Sequence, residues 1–180
     1  MIQYNPISKR ETEVGNMKSR LITGIQFLKK NPLLFLFGTA SFSVFVTILV
    51  EGFYLTPIYI KSHLHAAANV YATSDIVFAF GAVIAGFGIR WVFQKTSNVM
   101  SVIILTVVCS LIYFFYVYNQ NITLFYLTMF LLGICNAGIR IMRITYLFNR
   151  IPNQIIGRVN SVFGMMNVSF RFIFISTFSI

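Results

Sequence analysis

Residues 96–139 read TSNVMSVIILTVVCSLIYFFYVYNQNITLFYLTMFLLGICNAGI, and no charged side chain interrupts them. A helix needs about 20 mainly apolar residues to cross the roughly 30 Å hydrocarbon core of a bilayer. The stretch is too long for one crossing. Tyr118-Asn119-Gln120-Asn121 supplies a polar turn near its middle. The reading that follows is an antiparallel helix pair, about 98–118 and 122–146.

Working outward, three further stretches qualify. One runs over about 33–56 and is entered through Asn31-Pro32, with proline suited to a first helical position. Another covers about 68–89. The last begins near Arg158 and is still apolar at Ile180, giving a span of about 158–180. The expected fold class is an all-α, polytopic transmembrane bundle of five spans, preceded by a basic segment over 1–31. Helices are expected throughout, because an α-helix satisfies its own backbone groups in lipid. A closed β-barrel would instead need period-two alternation over about ten residues at a time.

Composition agrees. Hydrophobic residues make up 57% of the 180 positions and charged residues only 10%, against about 25% charged in a soluble domain. Phenylalanine occurs 20 times, a richness that suits lipid-facing helices. The net charge of +10 raises nucleic acid as a partner. A nucleic-acid binder, however, gathers its Lys and Arg on one wet face, whereas here they sit at the ends of apolar runs. No nucleic-acid partner is expected. The polar, charged first 30 residues lack the short apolar core of a cleavable signal. Cys109 and Cys135 both fall inside apolar runs, where cysteine packs as a small hydrophobe.

Orientation follows from which side holds the Lys and Arg. With a cytoplasmic N-terminus, twelve of the 14 fall inside, namely Lys9, Arg10, Lys18, Arg20, Lys29, Lys30, Arg90, Lys95, Arg140, Arg143, Arg150 and Arg158. Lys61 alone falls outside, and Arg171 lies within the last span. The bias places the N-terminus in the cytoplasm and the chain, multi-pass, in the inner membrane. The lipid bilayer is its first partner.

Small residues let helices approach closely in a membrane. The second span carries Ala79, Gly81, Ala82, Ala85, Gly86 and Gly88, and the fourth carries Gly133, Ala137 and Gly138. Tight packing is the plain reading. Helix sliding during a transport cycle is the sharper one.

Intramembrane charges are costly, so each stands as a functional candidate with a partner to be named. Asp75 shares a helix face with Tyr71, Ala79, Ala82 and Gly86 at about 100° per residue, which points it into the bundle. Arg171 lies with Asn160, Gly164 and Asn167 in an arc of about 60°. Those four make a polar stripe down the last span. Glu51 lies close to the outer boundary, where a carboxylate can reach water. By depth, Glu51, Asp75 and Arg171 all fall in the outer half of the bilayer, so Arg171 is expected to pair with Asp75 or Glu51 around a polar cavity. Asp75, Arg171, Asn167, Asn160 and Glu51 are thus the candidates for a substrate cavity or for proton coupling. A static ion pair locking the helices is the alternative.

Arg140 and Arg143 lie one turn apart near the inner end of the fourth span, with Arg150 and Arg158 flanking the next loop. Contact with lipid phosphates is the plain reading, and substrate-anion binding the other. His63 and His65, two apart in an outer loop, are too few ligands for a metal site. No nucleophile-base pair, His-carboxylate cluster or phosphate-binding glycine loop occurs. No enzyme activity, cofactor or metal is expected.

The order of features resembles a known family. Gly24-Ile25-Gln26-Phe27-Leu28-Lys29-Lys30-Asn31-Pro32 looks like the central cytoplasmic loop leading into the seventh helix of a major facilitator superfamily transporter. Leu55-Thr56-Pro57-Ile58-Tyr59-Ile60 is similar to the outer end of that helix in the family's exporters. Gly86 through Lys95 resembles a degenerate loop between helices eight and nine, without its acidic residue. Ile151-Pro152-Asn153-Gln154-Ile155-Ile156-Gly157-Arg158-Val159-Asn160-Ser161 resembles the proline-to-Gly-Arg loop joining helices ten and eleven in drug- and siderophore-exporter branches. The resemblance implies the C-terminal half of such a transporter, helices seven to eleven, with an unknown small-molecule substrate and a missing N-terminal half as partner. The expectation is a fragment, inactive alone. A non-transporting five-span scaffold or assembly subunit is the alternative.

Overall fold

A computed structural model describes residues 17–178, with side chains placed over 21–177. Lys9, Arg10 and Ile180 lie outside the described residues. Seven α-helices follow one another: α1 Met17–Lys30, α2 Pro32–Val50, α3 Thr56–Ser62, α4 Ala68–Val92, α5 Asn98–Tyr118, α6 Ile122–Arg150 and α7 Ile156–Phe178. A π-helical turn, Glu51–Leu55, joins α2 to α3 without a break. Five helical segments are long and apolar enough to cross a membrane: Pro32–Ser62, α4, α5, α6 and α7 up to Thr177.

The first of these runs on to Ser62 and does not stop ahead of Pro57. A proline inside a helix lacks an N–H and crowds the carbonyl four residues back. Here the chain takes in an extra residue just before it, and the Thr56 N–H reaches the Glu51 carbonyl, five residues back. The π turn lets the helix pass through the proline.

The connections are short and their caps are local. Asn121 Oδ1 accepts from the Thr123 N–H at 2.8 Å and starts α6, while Asn119 Oδ1 accepts from the Asn121 N–H at 2.9 Å. Ser97 Oγ accepts from the Met100 N–H and starts α5. Asn31 ends α1 by donating to the Phe27 carbonyl at 2.9 Å, and Pro32 opens α2.

The main core lies between α4, α5 and α6. α5 buries Val102, Leu105, Cys109, Ile112 and Tyr116, alternately three and four residues apart, against Phe125, Met129, Leu132, Ile139 and Met142 of α6. That spacing is the seam of gently crossed helices. On its other side α6 meets α4 at a reciprocal glycine contact. A Cβ at Gly81 would run into the Phe130 carbonyl oxygen, and one at Gly133 into that of Phe78. Only glycine at both positions permits backbones this close. Gly86 and Gly88, from the same small-residue run, face open space. A second core joins Leu28 of α1, Leu34 of α2, Leu147 of α6 and Val159, Val162 and Phe163 of α7. Large apolar side chains such as Phe87, Trp91, Phe115 and Phe172 point outward, as lipid contact requires.

Candidate functional site

Among the described residues, Glu51 and Arg143 are the buried charged groups, and each marks a candidate site. The first is built on the π turn. Glu51 is only 7% exposed, so the reading in which it reaches water at the boundary is not what the structure shows. Its Oε1 accepts a hydrogen bond from Thr56 Oγ1 at 2.5 Å, and its Oε2 one from the Tyr113 hydroxyl at 3.4 Å. A threonine hydroxyl has one proton to give. Where that proton goes to the Glu51 carboxyl group, Tyr116, 3.4 Å from Thr56 Oγ1, donates their shared bond. Around this relay, the Tyr71 hydroxyl donates to the Gly52 carbonyl at 3.2 Å, tying α4 to the π turn. The Tyr59 hydroxyl shares its one proton between the Tyr116 carbonyl, at 2.9 Å, and that of Asn119. The first span is thereby fixed to the end of α5.

The expected ion pair does not form: among the described residues none joins Arg171 to Asp75 or Glu51. α7 packs against α1 and α2, whereas α4 packs against α6 and α3, so the two charged helices are on different sides of the bundle. Arg171 is exposed, and so is Asp75. The inward face of α4 carries Ser74, Gly81, Ala85 and Ile89. Asp75, Ala79 and Gly86 lie to the side of it, uncovered in this chain. Small residues marked where α4 could be approached, but only some of them are approached. Asn167 is half-buried, its Oδ1 without a hydrogen-bond partner.

The second place is a cavity of about 380 Å3 between α2, α6 and α7. Its polar lining comes from Ser41 of α2, Asn136, Arg140 and Arg143 of α6 and Asn160 of α7. Of Asp75, Arg171, Asn167, Asn160 and Glu51, Asn160 lines it, and so do Arg140 and Arg143. Asn136, Arg140 and Arg143 follow at i, i+4 and i+7, so they share one face of α6. That spacing was visible in the sequence; the burial was not. Arg143 is 7% exposed. Its guanidinium carbon lies 3.4 Å above the centre of the Phe42 ring on α2, and its Nε–H has no hydrogen-bond partner. No Asp or Glu among the described residues pairs with it. A buried orphan donor costs about 1–3 kcal/mol, and a desolvated cation–π contact returns about 2 kcal/mol. The stack offsets part of the cost, which is larger for a charged group, and holds the flat guanidinium at the cavity wall. The reading of Arg143 as a membrane-surface anchor therefore gives way to a buried cation facing a cavity.

His63 lies in the 63–67 connection stacked on Tyr59, with ring centres 5.0 Å apart. No group of three or more His, Cys, Asp or Glu side chains able to hold a metal occurs among the described residues.

Five apolar, membrane-length helices define a multi-pass α-helical membrane protein. The sequence matches the Major Facilitator Superfamily over residues 4–175. The chain belongs to that family, whose members are membrane transporters. No curated protein and no solved structure matches it.

Proposed function

We propose that this chain is the C-terminal half of a small-molecule exporter, its five spans standing as helices seven to eleven, with the N-terminus on the cytoplasmic side of the inner membrane. The observation that carries this reading is the cavity between α2, α6 and α7, whose lining includes Asn136, Arg140, Arg143 and Asn160. From Asn160 the polar stripe continues along α7 through Asn167 to Arg171, roughly 16 Å further at 1.5 Å per residue. A transporter of this class encloses substrate between two six-helix halves that rock about a central site. One such half supplies one wall, so the five-span chain needs a second half to transport. Export is supported by the likeness of Ile151–Ser161 to the loop of the exporter branches. Asp75 and Glu51 are the carboxyl groups available for proton coupling.

The test is the coding sequence on either side, combined with a tolerance assay. A six-span segment upstream and one further apolar helix downstream support the reading. So does an intact gene that raises resistance to at least one toxic compound when the 180-residue chain alone does not. Clean gene boundaries at both ends, or full resistance from the chain alone, overturn it.

A further inference from the structure

The lining of the α2–α6–α7 cavity includes Arg140 and Arg143 and, among the described residues, no Asp or Glu. Arg143 is more than nine-tenths buried and lines the cavity with its Nε–H unpartnered. Arg140, one turn away and more exposed, lines the same cavity. An anion beside Arg143 would compensate a buried charge that no Asp or Glu among the described residues pairs with. The rest of the wall is apolar and aromatic, including Phe42, Phe45, Phe148 and Phe163. Stacking on Phe42 covers one face of the Arg143 guanidinium, whose N–H donors lie along its edge. That edge matches the two oxygens of a carboxylate or phosphate. The volume, about 380 Å3, falls in the range of small-molecule sites, about 300–1,000 Å3.

We propose that this cavity binds an organic anion, its carboxylate or phosphate group held by Arg143 and Arg140 and its apolar body seated on the phenylalanines. The proposal names the substrate class for the transport reading above and rests on it. The same oxyanion chemistry is offered by a soluble metabolite-sized anion and by an anionic lipid headgroup.

The experiment uses the full chain purified into phosphatidylcholine nanodiscs, with binding of 2-naphthoate, its neutral alcohol and its amine measured by equilibrium dialysis against empty nanodiscs. Saturable binding is expected for naphthoate, about tenfold or more tighter than for the other two, as one charge-assisted hydrogen bond would give. Arg143→Gln and Arg140→Gln should each lose about tenfold for naphthoate and little for the alcohol. Arg143→Lys should recover part of the loss, because it keeps the charge but not the flat fork. Circular dichroism on each variant reports folding. Should Arg143→Gln fail to fold, Arg140→Gln and Arg143→Lys carry the comparison.

A second arm uses nanodiscs containing phosphatidylglycerol and native mass spectrometry. Phosphatidylglycerol retained by the wild type, lost in Arg140→Gln and not displaced by naphthoate assigns the oxyanion to a lipid headgroup. Displacement by naphthoate assigns it to a soluble anion. Equal binding of anion, alcohol and amine, or naphthoate binding unchanged in folded arginine variants, overturns the proposal. Neither result depends on transport, so the transport reading stands or falls separately by its own assay.

Discussion

Thr56 serves Glu51 twice across the π turn: its N–H donates to the Glu51 carbonyl, and its hydroxyl donates to the Glu51 carboxylate at 2.5 Å. In an ordinary α-helix the partner one turn away is four residues on. The extra residue taken in before Pro57 brings the fifth residue into place for both bonds. The proline, the π turn and the burial of a carboxylate are therefore one structural fact.

Thr56→Val keeps the shape of this buried side chain and removes its proton. The change should destabilise the protein by about 1–3 kcal/mol, the cost of an unsatisfied buried group. Thr56→Ser, which keeps the hydroxyl, should lie much closer to wild type. Thermal unfolding in detergent distinguishes them. A Thr56→Val protein as stable as wild type would mean that the hydroxyl bond carries no weight.

At the α4–α6 crossing, Gly81→Ala and Gly133→Ala each place a methyl group against a backbone carbonyl of the other helix. The neighbour cannot swing aside as a side chain would. Each should cost about 1–3 kcal/mol through overpacking. Gly86→Ala, in open space, should instead gain up to about 1 kcal/mol from helix propensity. The opposite signs on one helix make the measurement, again thermal unfolding, insensitive to general effects of glycine replacement.

Asp75→Asn and Arg171→Gln should behave independently. With no contact between the two side chains, the effects of distant substitutions add to within about 0.5 kcal/mol. A double variant more stable than that sum would reveal a pairing that this structure does not contain.

The inward bias of Lys and Arg predicts which loops meet which solvent. In a background carrying Cys109→Ala and Cys135→Ala, Ser62→Cys should react with an impermeant maleimide added to intact cells. Thr96→Cys should react only after permeabilisation. The reversed pattern would invert the assigned orientation.

Much of the fold was legible in sequence because bilayer length and apolar content are one-dimensional constraints. The uncharged run over 96–139 with its Asn119–Asn121 turn gave α5 and α6 directly, and the caps there are local hydrogen bonds. Two elements were less legible. α1 carries Lys29 and Lys30 and reads as a basic segment, yet it buries Leu28 against α7. The first span looks finished at Pro57, because the π turn that carries it through is a local rearrangement without a distinct residue pattern.

The candidate site divides similarly. Sequence placed Asn160, Asn167 and Arg171 on one stripe, since helical spacing fixes which residues share a face. It could not tell which faces meet. Asp75 and Arg171 were matched by depth, but depth says nothing of position around the bundle, and their helices pack against different neighbours. Glu51 and Arg143 both lie near span ends, where long polar side chains often reach water. Only the neighbours supplied by distant parts of the chain, Tyr113 and Tyr116 for Glu51 and Phe42 for Arg143, bury them.

By itself, then, the amino-acid sequence determined a five-span membrane bundle and the faces of its helices, because apolar length and helical periodicity are properties of the chain alone. The tertiary structure decided which charged groups are buried, which are paired and which face the cavity, because burial depends on helix contacts that no local spacing encodes.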